Sequence, residues 1–389
     1  MTRILVTGGC GFLGSHLVEH FLKTTEAEIV ILDKLSYASS GFDRLRDIEV
    51  HGDRGVHDHV RVKVLGCDLA QPVPEGIAAE IGAIDYVVHA AAETHVDNSI
   101  VDPLPFLQSN VIGTHHLLMF ARTLKSLRRI FLVSTDEVYG PAKFGDDVVG
   151  FDEDAPFRPA NPYAAAKAGS EAIGMAYANT YKLPVTIVNT MNLYGERQHP
   201  EKFIPLVIRR VFEGEKVLIH ADPTKTRSGT RFYIHCRNFA SALLFLIEQD
   251  RRCAFTCPHG SRCTLPADHL TDSRPHNHNH HDCDCNEPDT PRPMPLKIHV
   301  AGEREISNLD LAQMIAGFVG KPLHYELVDF HSSRPGHDLR YALDDTMIRK
   351  KGWHQPLDTL QSLERTVQWY LRDNNRRWLY LDQKGVKTP

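Results

Sequence analysis

Short apolar runs rich in Val and Ile recur through the first half of the chain: "RILVTGG", "AEIVILD", "RVKVLGCD", "IDYVVHAAA", "RRIFLVS" and "LPVTIVNT". Each is continuous rather than alternating, so a strand built from it needs cover on both faces, which a parallel sheet with helices above and below supplies. The segments between the runs fit that role. "SHLVEHFLKT" and the longer "FLQSNVIGTHHLLMFARTL" repeat apolar residues at helical intervals and read as crossover helices. The expected fold class is α/β, a doubly wound parallel sheet.

After about residue 190 the alternation weakens, and "KFIPLVIRRVFEG", "NFASALLFLIEQ" and "NLDLAQMIAGFVG" read as helices mixed with short strands. The expected division is 1–190 for the sheet domain and 191–389 for a smaller mixed α/β lobe. Residues 251–295 interrupt that lobe with a stretch rich in Pro, His, Cys and Asp, which reads as a loop insertion.

Composition excludes several function classes. A net charge of -5, with Lys and Arg spread along the 389 residues, gives no basic stripe for a nucleic acid. No apolar run approaches the ~20 residues of a membrane span. The N-terminus enters a strand at once without a signal peptide, so a cytoplasmic enzyme is expected. The eight cysteines divide unevenly and do not suggest a disulfide framework. Cys253, Cys257, His259 and Cys263 crowd into the insertion with a His-rich stretch behind them. Thiolate and imidazole suit a structural zinc, which would fold a segment that has no core. The spacing is not that of paired Cys-x2-Cys knuckles, so a plain polar loop stands beside that reading.

The first strand runs into "VTGGCGFLGSHL", with Gly8, Gly11 and Gly14 at the mouth of a helix. Such glycines allow a tight turn and close backbone approach, so a pyrophosphate can sit on the helix N-terminus. The second strand ends in Asp33, about 20 residues further on, where an acid accepts hydrogen bonds from an adenosine ribose. That order of strand, turn, helix and acid predicts a Rossmann-like dinucleotide site with NAD favoured, although Lys34 beside the acid keeps NADP open. Asp68, after the third strand, reads equally as an adenine contact or as a turn cap.

"NPYAAAKAGSE" places Tyr163 and Lys167 four residues apart on a helix started by Pro162, so the two share a face. A Lys ammonium near a phenol lowers its pKa and makes a base for a substrate alcohol. In "STDEVYG", two neighbouring acids, Asp136 and Glu137, follow Thr135 at a strand end. Adjacent residues of a strand point to opposite faces, so both acids reach one ligand only if the chain turns after Ser134.

Together, "VTGGCGFLGSHL", "HAAAETHVDNSI", "STDEVYG", "NPYAAAKAGSE" and "SRPGHDLRYALD" resemble the extended short-chain dehydrogenase/reductases, in particular the NAD-dependent epimerase/dehydratase family. More narrowly, they resemble its nucleoside-diphosphate-hexose 4,6-dehydratases. The resemblance covers nearly the whole chain except the insertion, and implies oxidation at C4, loss of water across C5 and C6, and hydride return to C6. It assigns Asp136 as the acid for the leaving hydroxyl, Glu137 as the base at C5, and Thr135 as a hydrogen-bond partner of the 4-hydroxyl beside Tyr163. Phe12, Leu13, Leu69, Ala90 and Ala92 are implied along the cofactor. His95, Asn192, Arg231, Asn308, Arg334 and His337 are implied at the sugar nucleotide, where arginines pair with phosphate oxygens.

"RFYIHCRNFA" departs from the commonest pattern by carrying Cys236 and Arg237 where acids are usual. The dTDP and UDP forms of the substrate are not separated by sequence. The resemblance also implies a homodimer built through the helix bearing Tyr163. A sugar-nucleotide 4-epimerase or decarboxylase would use the same Tyr163, Lys167 and NAD but has no need of the paired acids. A non-catalytic cofactor sensor would need none of the four.

Overall fold

The computed structural model describes residues 1–50, 59–143, 150–256, 297–329 and 339–381, the side chains of 252–256 excepted. Each of the six apolar runs forms a strand: β1 (Arg3–Thr7), β2 (Glu28–Asp33), β3 (Val62–Gly66), β4 (Tyr86–His89), β5 (Arg129–Thr135) and β6 (Val185–Thr190). Shorter strands follow: β7 (Leu193–Tyr194), β8 (Val217–Ala221), β9 (Thr230–Phe232), β10 (Ile234–His235), β11 (Lys297–Val300), β12 (Glu305–Ser307) and β13 (Tyr325–Asp329). The large sheet has seven strands in the order β11-β6-β5-β4-β1-β2-β3. Every pairing within it is parallel.

The side chains explain why the runs are continuous. Along β1, Ile4 and Val6 join a core with Leu17 and Phe21 of the helix Phe12–Thr24 and with Phe239 and Leu243 of the helix Cys236–Thr256. Leu5, between them, joins the opposite core with Leu117 and Leu118 of the helix Gly113–Ala121 and Tyr177 of the helix Pro162–Tyr181. Both faces are therefore buried, at about 1.5–3 kcal/mol for each large aliphatic side chain removed from water. β11 obeys the same rule: all four of its residues are buried, and it completes the sheet at the edge beside β6.

Beyond the sheet, a further core gathers Val207 and Ile208 of the helix Phe203–Glu213, Leu311 and Ile315 of the helix Asn308–Val319, and Val367 of the helix Thr359–Leu371. Around it lie paired strands, β8 with β13, β9 with β12 and β7 with β10. Local signals set the helix limits. Ser307 caps the helix Asn308–Val319 by accepting the Asp310 N–H, and Gly320 ends it at φ +74.

Within the large sheet, β1 lies between β2 and β4, so successive connections leave β1 in opposite directions. A crevice opens outside the carboxyl ends of the strands at such a reversal.

Candidate active site

The turn after β1 accepts only glycine at two points. Gly8 has φ +71, and a Cβ there would lie 2.8 Å from the Ala91 backbone. At Gly14 a Cβ would lie 2.0 Å from the Gly8 carbonyl oxygen, so the helix Phe12–Thr24 can sit this close to β1 only without one. Gly11, the residue before that helix, supplies no side-chain cap. The first-turn amides therefore lack the oxygen acceptor that a Ser or Asp would bring, as a phosphate site requires.

Asp33, at the end of β2, is buried and accepts the Cys10 N–H at 2.9 Å and the Leu35 N–H at 2.8 Å. Burial raises its carboxyl, while the two backbone donors and the charge of Arg44 act the other way. Lys34 is engaged: its Nζ lies 2.7 Å from Glu93 Oε1 and 3.0 Å from Ser109 Oγ. Asp68 accepts the Ala70 N–H at 2.9 Å, the turn-capping alternative, and still borders the cleft.

At the end of β5 the chain runs extended through Thr135 and then enters a tight helical turn, Asp136–Tyr139. The turn comes one residue later than the sequence requires, and it brings both acids into the same cleft. The Thr135 hydroxyl donates to Asp136 Oδ1 at 2.8 Å, and Asn189 Nδ2 donates to the Thr135 carbonyl at 3.0 Å. Asp136 is buried, and among the described residues its Oδ2 has no hydrogen-bond partner. Burial, and then the charge of Glu137, push its carboxyl up to about 7. Glu137 is less enclosed and accepts from Asn161 Nδ2 at 3.0 Å.

Pro162 occupies the first turn of the helix that carries Tyr163 and Lys167, as its fixed φ allows. Lys167 is buried, and its Nζ donates to the Val133 carbonyl at 2.7 Å. Burial lowers the ammonium to about 8, and the Glu171 carboxylate opposes the shift. The expected lowering of the Tyr163 phenol is not what the structure gives. Burial raises it strongly, and Glu137 and Asp136 add to the rise; a hydrogen bond with Thr135 offsets only part. The reason is placement: the Lys167 ammonium is fixed on the Val133 carbonyl, while the carboxylates face the phenol.

These groups border one cleft of about 470 Å³. Gly8, Gly11, Phe12, Leu13 and Gly14 line it, as do Asp33, Lys34, Asp68, Leu69, Ala90 and Ala92. So do His95, Asn192, Arg231 and Asn308 from the set expected at the sugar nucleotide. Arg231 is buried, donates to the Leu339 carbonyl at 2.9 Å and lies 4.7 Å from the centre of the Tyr341 ring. Asn308 accepts from the Tyr233 hydroxyl at 2.7 Å, and His95 lies 3.9 Å from Glu201.

Sequence reasoning missed Gln198, His199, Glu201 and Lys202, which also line the cleft. The signal was the dense polar run "ERQHPEK" between an apolar strand and a helix, most of it buried. The departure at Cys236 and Arg237 lies behind the cleft: Cys236 is buried, and Arg237 pairs with Glu196 at 2.8 Å. Arg334 and His337 lie outside the described residues, as do Cys257, His259, Cys263 and the side chain of Cys253. Among the described residues no group of three or more His, Cys, Asp or Glu could hold a metal, and no helix is long and apolar enough to cross a membrane.

The pattern of the NAD dependent epimerase/dehydratase family matches residues 4–254. The chain belongs to that family. As a member of the epimerase/dehydratase family it is 32% identical to a dTDP-glucose 4,6-dehydratase of Neisseria gonorrhoeae, over 96% of this chain and 97% of the relative. It is 31% identical, over all of its length and 49% of the relative, to an Arabidopsis thaliana trifunctional protein whose first named activity is UDP-glucose 4,6-dehydratase. Among solved structures of the epimerase/dehydratase family, dTDP-glucose 4,6-dehydratase from Streptomyces venezuelae with NAD bound superposes with a TM-score of 0.72 at 29% identity, covering 97% of this chain and 98% of that one.

Proposed function

We propose that this protein is an NAD-dependent nucleoside-diphosphate-hexose 4,6-dehydratase, acting on dTDP-glucose or UDP-glucose. One observation carries the reading: Asp136 and Glu137 border the same cleft as Tyr163, Lys167 and the glycine turn, in unequal surroundings. The close packing at Gly8 and Gly14, the capless helix start and the buried Asp33 fit an adenine dinucleotide. NAD, when bound, would take a hydride from C4 of the hexose and return it at C6.

The chain's own residues do the rest. Tyr163, as its phenolate, accepts the proton of the 4-hydroxyl; burial and the two carboxylates oppose that form and the hydrogen bond with Thr135 favours it, while Lys167, seated on the Val133 carbonyl, borders the same cleft. Asp136, with its carboxyl raised to about 7, still holds a proton near neutral pH and gives it to the departing C6 hydroxyl, so that water leaves. Glu137 takes the C5 proton and later gives it back. Thr135 is hydrogen-bonded to both Tyr163 and Asp136, so the proton gained by the phenol has a route to restore the acid.

Incubation with dTDP-glucose and, separately, UDP-glucose, followed by mass spectrometry, tests this: loss of one water from either supports the reading and names the nucleotide. Retention of mass with both, in NAD-bound protein, would favour the 4-epimerase. We propose also that the exposed apolar residues Leu104, Leu107, Ile112 and Met119, near the Tyr163 helix, form a homodimer face, which sedimentation as a monomer would refute. A structural zinc in 251–295 is proposed on residue types alone; metal analysis of tag-free protein finding none would remove it.

A further inference from the structure

The helix that presents Tyr163 and Lys167 has Asn161 as its cap. A cap needs only an acceptor, and Asn161 Oδ1 accepts the Ala164 N–H at 2.8 Å. That bond fixes which way the amide points, because the backbone donor must meet the oxygen. The amide nitrogen is thereby turned to Glu137, donating to its Oε2 at 3.0 Å. One side chain thus ties the start of the Tyr163 helix to the second acid after β5. Ser and Asp cap helices about as well as Asn. Neither can do both tasks: an ionised Asp has no donor, and the Ser hydroxyl is one group too short.

We propose that Asn161 is a positioning residue for removal of the C5 proton: its cap-locked amide holds the Glu137 carboxylate fixed in the cleft. The inference rests on reading Glu137 as the base. Among the described residues, the titratable groups shown to feel the Glu137 carboxylate are Asp136 and Tyr163. Neither brings positive charge. The Lys167 ammonium sits on the Val133 carbonyl, and Arg231 acts on Asp136. A donor at 3.0 Å therefore matters more here than at a surface carboxylate.

Asn161→Asp keeps the cap and the side-chain shape but sets a second carboxylate against Glu137, and two carboxyls sharing a site push one of them up. Its thermal melting should match the parent. Single-turnover C4 oxidation, read as reduced-NAD absorbance, should stay within about threefold. Exchange of the C5 hydrogen with D2O should fall by roughly 10- to 100-fold at neutral pH, with its acid limb moved to higher pH. Asn161→Ser, which keeps the cap and loses the donor, should slow exchange without moving the limb. An Asn161→Asp variant with parental exchange rate and pH limb would overturn the proposal. So would equal losses of oxidation and exchange in both variants, which would leave Asn161 only a helix cap. Glu137→Gln separates the two readings: if it still exchanges C5, the base assignment itself fails.

Discussion

Asp33 and Asp136 stand at the carboxyl ends of two strands of one sheet, both buried, both bordering the same cleft. Asp33 has a backbone N–H on each oxygen. Asp136 has a hydroxyl on one oxygen and, among the described residues, nothing on the other, with a neighbouring carboxylate besides. Burial raises both carboxyls, but the same side chain is tied to main-chain donors on both oxygens at one strand end and left with an open oxygen at the other. The difference lies in the donors: main-chain amides cannot give up their protons, so they commit a carboxylate to accepting, whereas an unpartnered oxygen leaves room for a proton.

Replacing each acid by its amide should expose this difference most sharply in turnover. Asp136→Asn removes the transferable proton, and water loss should fall by about 10²–10⁴-fold, with C4 oxidation largely spared. Single-turnover mass and absorbance measurements would check it; parallel loss of both steps would break the contrast. Nearly as large should be the effect of Lys297→Met. Lys297 Nζ lies 2.9 Å from the fully buried Glu171, which accepts from Ser134 and Asn189 just behind Thr135. Leaving that carboxylate without its cation should cost about 3–5 kcal/mol, read by denaturant unfolding. A loss under about 1 kcal/mol would show that the end of β5 does not lean on the pair.

Stability should then move in opposite directions for the two amides. The folded Asp136 carboxyl titrates near 7 against an ordinary value of 3.8, so the folded state binds more protons than the unfolded between those pH values. Its contribution falls as pH rises through that window and is flat above it. Asp136→Asn should therefore be more stable than the parent at pH 8, by roughly 1–3 kcal/mol, and lose the advantage near pH 4. Asp33→Asn turns an amide donor toward a backbone N–H and should lose about 1–3 kcal/mol. Equal signs for the two would refute the distinction. Smallest of all, Lys34→Ala removes only a partly exposed ion pair, and NAD affinity by calorimetry should change less than about threefold.

What could be read from the sequence follows the same line. The six parallel strands and their covering helices were visible because two-sided burial leaves continuous apolar runs. The glycine turn, Asp33 and the Tyr163 helix were visible because backbone sterics and caps act over a few residues. Hidden were effects that need the third dimension: the Lys167 ammonium seated on Val133, the rise of the Tyr163 phenol, and the burial of Gln198 and His199. A polar run in a sequence reads as surface, and only its neighbours in space show which side faces a ligand.

The buried Lys297 also works as an index mark. It is the first residue of β11, and a slip of one position would withdraw the ammonium from Glu171 and put Ile298 in its place. Strand register is therefore fixed at the strand, independently of how many residues precede it. Lengthening a connection costs only about 0.6 kcal/mol per doubling, far less than a misplaced buried charge. Evolution is thus free to add or remove residues between the helix Cys236–Thr256 and β11 without the change being felt at Thr135, so a variant shortened within 257–296 should keep the parental rate of water loss.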